Sequence, residues 1–255
     1  MTERKTTSRE RADVLVVERG LAETRIQAQA LILAGRVTTS TGRVEKAGVL
    51  LARDVPLSVS ERPRFVSRGG EKLERALEAF VPLGLRVAGT TCVDVGASTG
   101  GFTDCLLQHG AQKVYAVDVG WGQLHAKLRS DDRVVVRERT NARELTAQSF
   151  DECIELCVVD ASFIGIGKLV GAIASFLRPG CELVALVKPQ FEVGRSEASR
   201  TRGVVRDPAL RARAIEGATR EIADGGFEIL GGTDSPIAGP KGNLEYLVYA
   251  RRRSS

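Results

Sequence analysis

Several residues in this chain have types and spacings suited to holding a nucleotide-like ligand. Thr91-Cys-Val-Asp-Val-Gly-Ala-Ser-Thr-Gly-Gly-Phe102 runs from β-formers through glycines at 96, 100 and 101 into an apolar helical pattern (Phe102, Cys105, Leu106). A strand, a glycine turn and a helix in that order bring backbone close to a ligand at a helix N-terminus of an α/β sheet. Asp118 closes the next β-rich stretch, Val114–Val119, 22 residues past Gly96. A carboxylate there can take both hydroxyls of a ribose. The spacing is not G-x-G-x-x-G, because Ala97 and Ser98 fill the turn and the glycines come late. Asp94, two residues before the first glycine, suits S-adenosylmethionine better than NAD. The competing reading is a structural turn with no ligand, and the acid at the right distance argues against it. Ser98, Thr99 and the backbone at Gly96, Gly100 and Gly101 are the candidate contacts to the methionine end of that cofactor.

A second set could move a proton. Asp160 closes Cys157-Val-Val-Asp, Lys188 closes Leu183-Val-Ala-Leu-Val-Lys, and Glu245 opens Glu-Tyr-Leu-Val-Tyr-Ala. If the last strand is antiparallel, its start lies at the edge where the parallel strands end, and all three face the ligand crevice. Lys72, on the helix before the first of these strands, can reach the same mouth. A lysine closing an apolar strand is costly to bury unless carboxylates accompany it. Any one of the four alone reads as a surface charge; four beside a ligand turn read as a site. Trp121 either packs on an adenine or is an ordinary core aromatic. His109 and His125 have no partner at a useful spacing and read as surface or core residues.

The elements that must position these residues begin at residue 71. After a helix over Glu71–Phe80, strands fall near 91–95, 114–119, 134–137, 156–160, 182–188, 227–233 and 245–250. Helices lie between them near 101–109, 122–129, 165–177 and 208–224, with a short one near 143–148. This alternation is an α/β fold: a Rossmann-like, mostly parallel seven-stranded sheet with helices on both faces. The polar stretch from Gly194 to Gly203 reads as a surface loop near the site.

Residues 1–61 read as a separate small α+β domain. Residues 1–64 hold 12 Lys/Arg against 8 Asp/Glu, so most of the chain's formal net charge of +5 lies there. A first helix covers Arg11–Gly20. A second runs over Leu21–Gly35, with Thr24 as N-cap, Gly35 as stop, and an apolar face of Ile26, Ala30, Leu31 and Leu33–Ala34. Short strands with a hairpin follow. Residues 62–70, with Pro63 and the Gly69–Gly70 pair, read as a linker and a hinge that could transmit docking to the catalytic half.

Composition narrows the class. No run of 18 apolar residues exists and no apolar segment follows Met1-Thr-Glu-Arg-Lys, so neither a membrane span nor secretion is expected. The five cysteines (92, 105, 153, 157, 181) include no C-x-x-C. They read as reduced core residues of a cytoplasmic protein, with no metal site.

Two resemblances extend this reading. Residues 8–60, above all Gly-Leu-Ala-Glu-Thr-Arg and Ile-Leu-Ala-Gly-Arg-Val, resemble the small RNA-binding module shared with ribosomal protein S-four. That likeness makes Arg11, Arg19, Arg25 and Arg36, with Arg68 in the linker, the candidate RNA contacts, since folded RNA is read largely by phosphate and shape. A solvated charged face is the plainer alternative. Further blocks resemble the TlyA-type rRNA methyltransferases: Val-Ser-Arg-Gly-Gly-Glu-Lys-Leu (66–73), Asp-Val-Gly-Ala-Ser-Thr-Gly-Gly-Phe-Thr (94–103) and Val-Asp-Val-Gly-Trp-Gly-Gln-Leu (117–124). So do Glu-Arg-Thr-Asn-Ala-Arg (138–143), Asp-Ala-Ser-Phe-Ile (160–164), Val-Lys-Pro-Gln-Phe-Glu-Val-Gly (187–194) and Gly-Asn-Leu-Glu-Tyr (242–246). Phe65 and Trp121 depart from the family's usual Trp and Tyr.

The resemblance implies an FtsJ-like domain that transfers a methyl group from S-adenosylmethionine to a cytidine ribose 2′-oxygen of ribosomal RNA, in the small or large subunit or both. It places the Lys-Asp-Lys-Glu tetrad on Lys72, Asp160, Lys188 and Glu245, and the cofactor on Asp94, Gly96, Ala97, Ser98, Thr99, Gly100, Gly101, Phe102, Asp118 and Trp121. Whether Lys188 acts as base or orienter stays open, because Lys72 and the two carboxylates push its pKa in opposite directions. A cofactor fold used only for rRNA binding, a pseudouridine synthase with the same N-terminal module, and a membrane-active haemolysin (the family's historical label) are the rival classes. The intact tetrad, the methyltransferase turn and the lack of an amphipathic cationic helix weigh against them in that order.

Overall fold

The computed structural model describes residues 8–60, 63–194, 197, 203–239 and 241–254. The chain folds as two compact units, Met1–Pro63 and Arg64–Ser255.

In the first unit β1 (Arg9–Arg11), α1 (Ala12–Glu18) and α2 (Arg25–Leu33) precede four short strands. These are β2 (Val37–Thr39), β3 (Gly42–Arg43), β4 (Leu50–Ala52) and β5 (Leu57–Val59). β1 pairs antiparallel with β4, and β2 lies between β3 and β5. Thr24 caps α2, its hydroxyl accepting from the Gln27 N–H at 3.2 Å. The buried face of α2 differs from the expected one. Ala28 and Ile32 are buried, whereas Ile26 and Leu33 are 80% and 84% exposed and Ala30 and Ala34 also face out. Apolar residues occur all around this helix, so their positions do not fix its rotation. Its polar residues do: Arg25 and Gln29 both bond Asp13 of α1, and 25, 28, 29 and 32 share one face.

The second unit contains α3 (Gly69–Phe80), β6 (Thr91–Val95), α4 (Gly101–Gln108), β7 (Lys113–Val117), α5 (Ala126–Arg129) and β8 (Val134–Arg137). It continues with β9 (Ile154–Val159), α6 (Gly167–Phe176), β10 (Leu177–Val187), α7 (Pro189–Glu192), α8 (Pro208–Asp224), β11 (Phe227–Asp234) and β12 (Tyr246–Arg252). Among the described residues seven strands form one sheet in the order β11-β12-β10-β9-β6-β7-β8. β12 runs antiparallel to both neighbours, and the pairs from β10 to β8 are parallel. The central strands bury both faces, as a sheet covered by helices requires. Cys92, Val158, Val184 and Tyr249 join the core with α3 and α4, while Val93, Val159, Ala185 and Val248 join the core with α6 and α8.

Local readings change in four places. Helix 122–129 shrinks to α5, because Gly122 takes a left-handed φ of +72° and interrupts it. The short helix near 143–148 is two 3-10 turns, Ala142–Glu144 and Ala147–Ser149. Cys153 is exposed and Cys181 half-buried, so only Cys92, Cys105 and Cys157 are core cysteines. From Arg64 onward the expected linker is packed. Phe65 is buried against Gly70, the Val66 N–H donates to the Asp104 carboxylate at 2.8 Å, and Gly69–Gly70 form the first turn of α3. These glycines serve close approach. A Cβ on Gly101 would lie 2.3 Å from the Ser67 hydroxyl and 2.7 Å from the Gly70 nitrogen, where α3 and α4 begin side by side. The 194–203 stretch lies largely outside the described residues.

Candidate active site

Two cavities open where the parallel strands end. One, about 690 Å³, is lined by Gly96, Ser98, Asp118, Thr140, Asn141 and Lys168 among others. The other, about 660 Å³, is lined by Arg68, Lys72, Phe102, Lys188, Asn243 and Glu245, with Ala97 and Gly101. Gly96, Ser98, Asp160, Ser162 and Phe163 belong to both, so the cavities share a wall.

The first cavity fits the methyl donor the sequence points to. Gly96 has φ +85°, and a Cβ there would sit 2.8 Å from the Asp160 carbonyl oxygen, so only glycine lets the turn lie against the end of β9. Asp118 accepts from the Ser98 N–H (2.8 Å) and the Gly120 N–H (2.7 Å), one on each carboxylate oxygen. Each oxygen can take a further donor, as two ribose hydroxyls require. The cradle is therefore braced by the residue that would read the sugar.

Besides Trp121, three expected cofactor contacts line neither cavity, and each has another role. Asp94 is fully buried beneath the turn, accepts from the Thr103 hydroxyl at 2.7 Å, and leaves its other oxygen unpartnered. Burial first, then the Asp160 and Asp118 charges, push its carboxyl up to about 7 against that hydrogen bond. Gly100, at φ +98°, packs under Leu128 and Leu124, where a Cβ would clash. The Thr99 carbonyl accepts from the His125 N–H at 3.1 Å. Trp121 also lines neither cavity. It is 69% exposed with the Arg139 guanidinium 5.1 Å from its ring centre, which rules out the core reading.

The three strand-edge charges and Lys72 meet in two ion pairs in the second cavity. Lys72 donates to Glu245 at 2.5 Å, with both side chains nearly inaccessible to solvent. Lys188 lies 2.5 Å from the Asp160 carboxylate and also donates to the Ser162 hydroxyl (2.8 Å) and the Asp160 carbonyl (3.2 Å). Three acceptors surround an ammonium with three N–H donors, which fixes it in direction as well as place. β9, β10, β12 and α3 each contribute one residue, and the antiparallel entry of β12 brings Glu245 to this edge.

Sequence reasoning missed three neighbours. Ser162 completes the Lys188 shell. Phe163 is 91% exposed at φ +67°, a conformation costing a non-glycine residue about 1–3 kcal/mol, and its ring packs 5.4 Å from that of Phe191. Asn243 is buried and spans the mouth, accepting from the Val205 N–H (2.8 Å) and donating to the Gly203 carbonyl (2.9 Å). The only signal for them was their place in the Asp-Ala-Ser-Phe and Gly-Asn-Leu-Glu blocks. His109, expected to lack a partner, lies 2.7 Å from a Glu74 oxygen.

The four arginines of the first unit expected to contact RNA are engaged within it. Arg11 forks onto Asp13 through two 3.0 Å bonds, and Arg25 reaches the same carboxylate at 3.1 Å. Arg19 donates to the Val55 and Arg53 carbonyls, and Arg36 to the Ser60 carbonyl at 2.8 Å. Arg11 and Arg25 keep side chains 42% and 54% exposed, so anchoring leaves a charged surface. Arg68 stands exposed at the lip of the second cavity.

This architecture has known counterparts. Residues 65–252 match the FtsJ-like methyltransferase family. The 16S/23S rRNA (cytidine-2′-O)-methyltransferase TlyA of Mycobacterium tuberculosis is 45% identical over 249 residues, covering 96% of this chain and 91% of that protein. The chain belongs to the TlyA family of FtsJ-like methyltransferases. Hemolysin A of Brachyspira hyodysenteriae is 44% identical over 240 residues, covering 94% of this chain and 98% of that one. A solved Streptococcus thermophilus structure bearing a hemolysin name superposes with a TM-score of 0.74 at 41% identity, over 98% of this chain and 90% of that one. S-adenosylmethionine is accordingly the methyl donor, and the protein is an enzyme. Among the described residues no helix is long and apolar enough to cross a membrane.

Proposed function

We propose that the enzyme methylates a cytidine ribose 2′-oxygen of ribosomal RNA, in the small subunit, the large subunit or both, and works in the cytoplasm. The observation that carries this reading is the shared wall: two lysine–carboxylate pairs line one cavity, and the ribose-reading aspartate lines the cavity beside it. Cytidine and ribosomal RNA come from the TlyA relative at 45% identity.

The donor supplies a methyl carbon already activated by its sulfonium charge, leaving alignment of the hydroxyl and handling of its proton to the chain. The 2′-hydroxyl takes, beside Lys188, the place now held by Ser162 or the Asp160 carbonyl, while the Asp160 carboxylate keeps the Lys188 amino group oriented. As the C–O bond forms and the donor's C–S bond breaks, the hydroxyl proton passes to a neutral Lys188 acting as base or, with Lys188 as orienter, to solvent. Lys72 and Glu245 line the same cavity as an ion pair. Asp118 takes the cofactor's ribose, with the backbone from Gly96 to Ser98 beside it. Phe163 and Phe191, their rings tilted at 46°, offer apolar ring faces at the lip, either of which suits a base swung out of its stack. The first unit, with Arg11, Arg19, Arg25 and Arg36, and the free Arg68 meet RNA phosphates. Membrane lysis, suggested by the hemolysin names, finds no supporting segment, whereas the tetrad would be idle in a lytic protein.

The test is transfer from labelled S-adenosylmethionine to purified small and large ribosomal subunits, with wild type and Lys188→Ala in parallel. Label on a 2′-oxygen should fall by about 10²–10⁴-fold in the variant, with cofactor affinity unchanged. Near-normal turnover in Lys188→Ala would sink the assignment, and cofactor binding without transfer to either subunit would redirect it to another RNA.

A further inference from the structure

On α3 and α4, outside both cavities, three side chains of metal-binding type converge. Cys105 lies on α4 and His109 caps its end four residues on, a spacing that puts both on one helix face. Glu74 faces them from α3. One Glu74 oxygen lies 2.7 Å from His109 Nε2 and 3.7 Å from Cys105 Sγ, and the three donor atoms all fall within 4.8 Å of one another. Zinc bonds of roughly 2.0–2.3 Å in tetrahedral array set such donors about 3.3–3.7 Å apart. For an ion to enter, the His109–Glu74 contact of 2.7 Å has to open by roughly 0.6 Å or more, and the Cys105–His109 gap, within 4.8 Å, has to settle into the same range.

The surroundings support that use. Arg64 pairs with the other Glu74 oxygen, so the carboxylate is held with one oxygen turned to the cluster, the usual duty of an outer-shell donor. Cys105 is completely buried, while the His109 side chain is 32% exposed, giving an ion a shielded sulfur side and a solvent-facing approach. A sulfur, nitrogen and oxygen set favours zinc-class ions over magnesium or calcium, which prefer oxygen alone. None of the three residues takes part in methyl transfer as derived above.

We propose that Glu74, Cys105 and His109 bind one zinc-class divalent cation, with water as fourth ligand, joining α3 to α4. On binding, the thiol proton passes to solvent and the thiolate becomes a ligand. The full-length protein, reduced and freed of metal by chelation, would be titrated with Co²⁺ as an optical probe and then with Zn²⁺. One equivalent of Co²⁺ should raise a thiolate-to-cobalt charge-transfer band that Zn²⁺ removes, and Zn²⁺ should raise the melting temperature. Cys105→Ser should abolish the band, and Cys153→Ser, which alters the exposed cysteine, should keep it. Glu74→Gln, which can still accept from His109, should weaken binding about tenfold or more and keeps the test open if Cys105→Ser fails to fold. No band in the wild type, a band that survives Cys105→Ser or follows Cys153, or a Glu74→Gln affinity equal to wild type would each mean a hydrogen-bonded trio only.

Discussion

Each unit buries carboxylate charge, and the two use it in opposite ways. In the first, Asp13 is sealed from solvent and accepts from Arg11, Arg25 and Gln29. Arg11 above all holds its carboxyl well below the ordinary range. In the second, Glu245 and Asp160 each pair with a lysine at a cavity wall. A sealed, saturated carboxylate fixes helix rotation. A paired one at a cavity wall can exchange a partner for an incoming group. The lesson is that burial of charge does not by itself signal chemistry; the empty space beside it does.

Glu245→Gln should break that comparison most severely. It leaves the Lys72 ammonium buried without counter-charge, which should cost about 3 kcal/mol of stability and most of the transfer activity, read by calorimetry and by the labelled-methyl assay. Asp13→Asn removes the charge but keeps the shape. The first unit should melt about 5–10 °C lower and RNA affinity should fall, while S-adenosylmethionine affinity, measured by calorimetry, stays put. If cofactor binding falls as well, the two kinds of buried charge are not independent. Asn243→Ala releases the tie between Gly203–Val205 and the segment leading to Glu245. Severalfold higher KM for ribosomal RNA, with unchanged cofactor affinity, is expected, since Asn243 lines only the second cavity.

The smallest effect concerns Glu192. Burial pushes its carboxyl up to about 7, while the Ile166 N–H bond at 3.0 Å opposes the shift. A raised carboxyl pKa means the folded state prefers the protonated form. That stabilisation is complete below the unfolded value of about 4.5 and is lost as pH rises through about 7. Glu192→Gln should therefore melt like wild type near pH ~4.5 and several degrees higher above pH ~8. Equal differences at both pH values would refute the linkage.

Much of this was legible in the chain because its signals were local. The β6 turn, the Asp118 strand end and the alternation from residue 71 onward each depend on a few neighbouring residues, and the sheet followed from them. That Asp160, Lys188 and Glu245 meet was legible because strand ends share an edge once β12 is antiparallel. What stayed hidden depended on three-dimensional packing. Ile26 and Leu33 looked like core until Arg25 and Gln29 turned α2 toward Asp13. Gly69 and Gly70 looked like a hinge because the spacing of α3 from α4 cannot be read from residue types. Thr99 and Gly100 lie within the turn and Asp94 just before it, yet they support it from behind rather than line a cavity.

The wall shared by the two cavities also bears on inhibition. Gly96, Ser98, Asp160, Ser162 and Phe163 would touch both halves of a molecule that joined an adenosine-like piece to a ribose-like piece across that wall. Such a molecule loses translational freedom once while engaging both sites, so its affinity should exceed that of either piece by far more than their difference in contacts. It would also have to fit a lip set by Phe163, whose left-handed backbone leaves little freedom to adapt, so the shape of the linker between the two pieces is constrained at that residue.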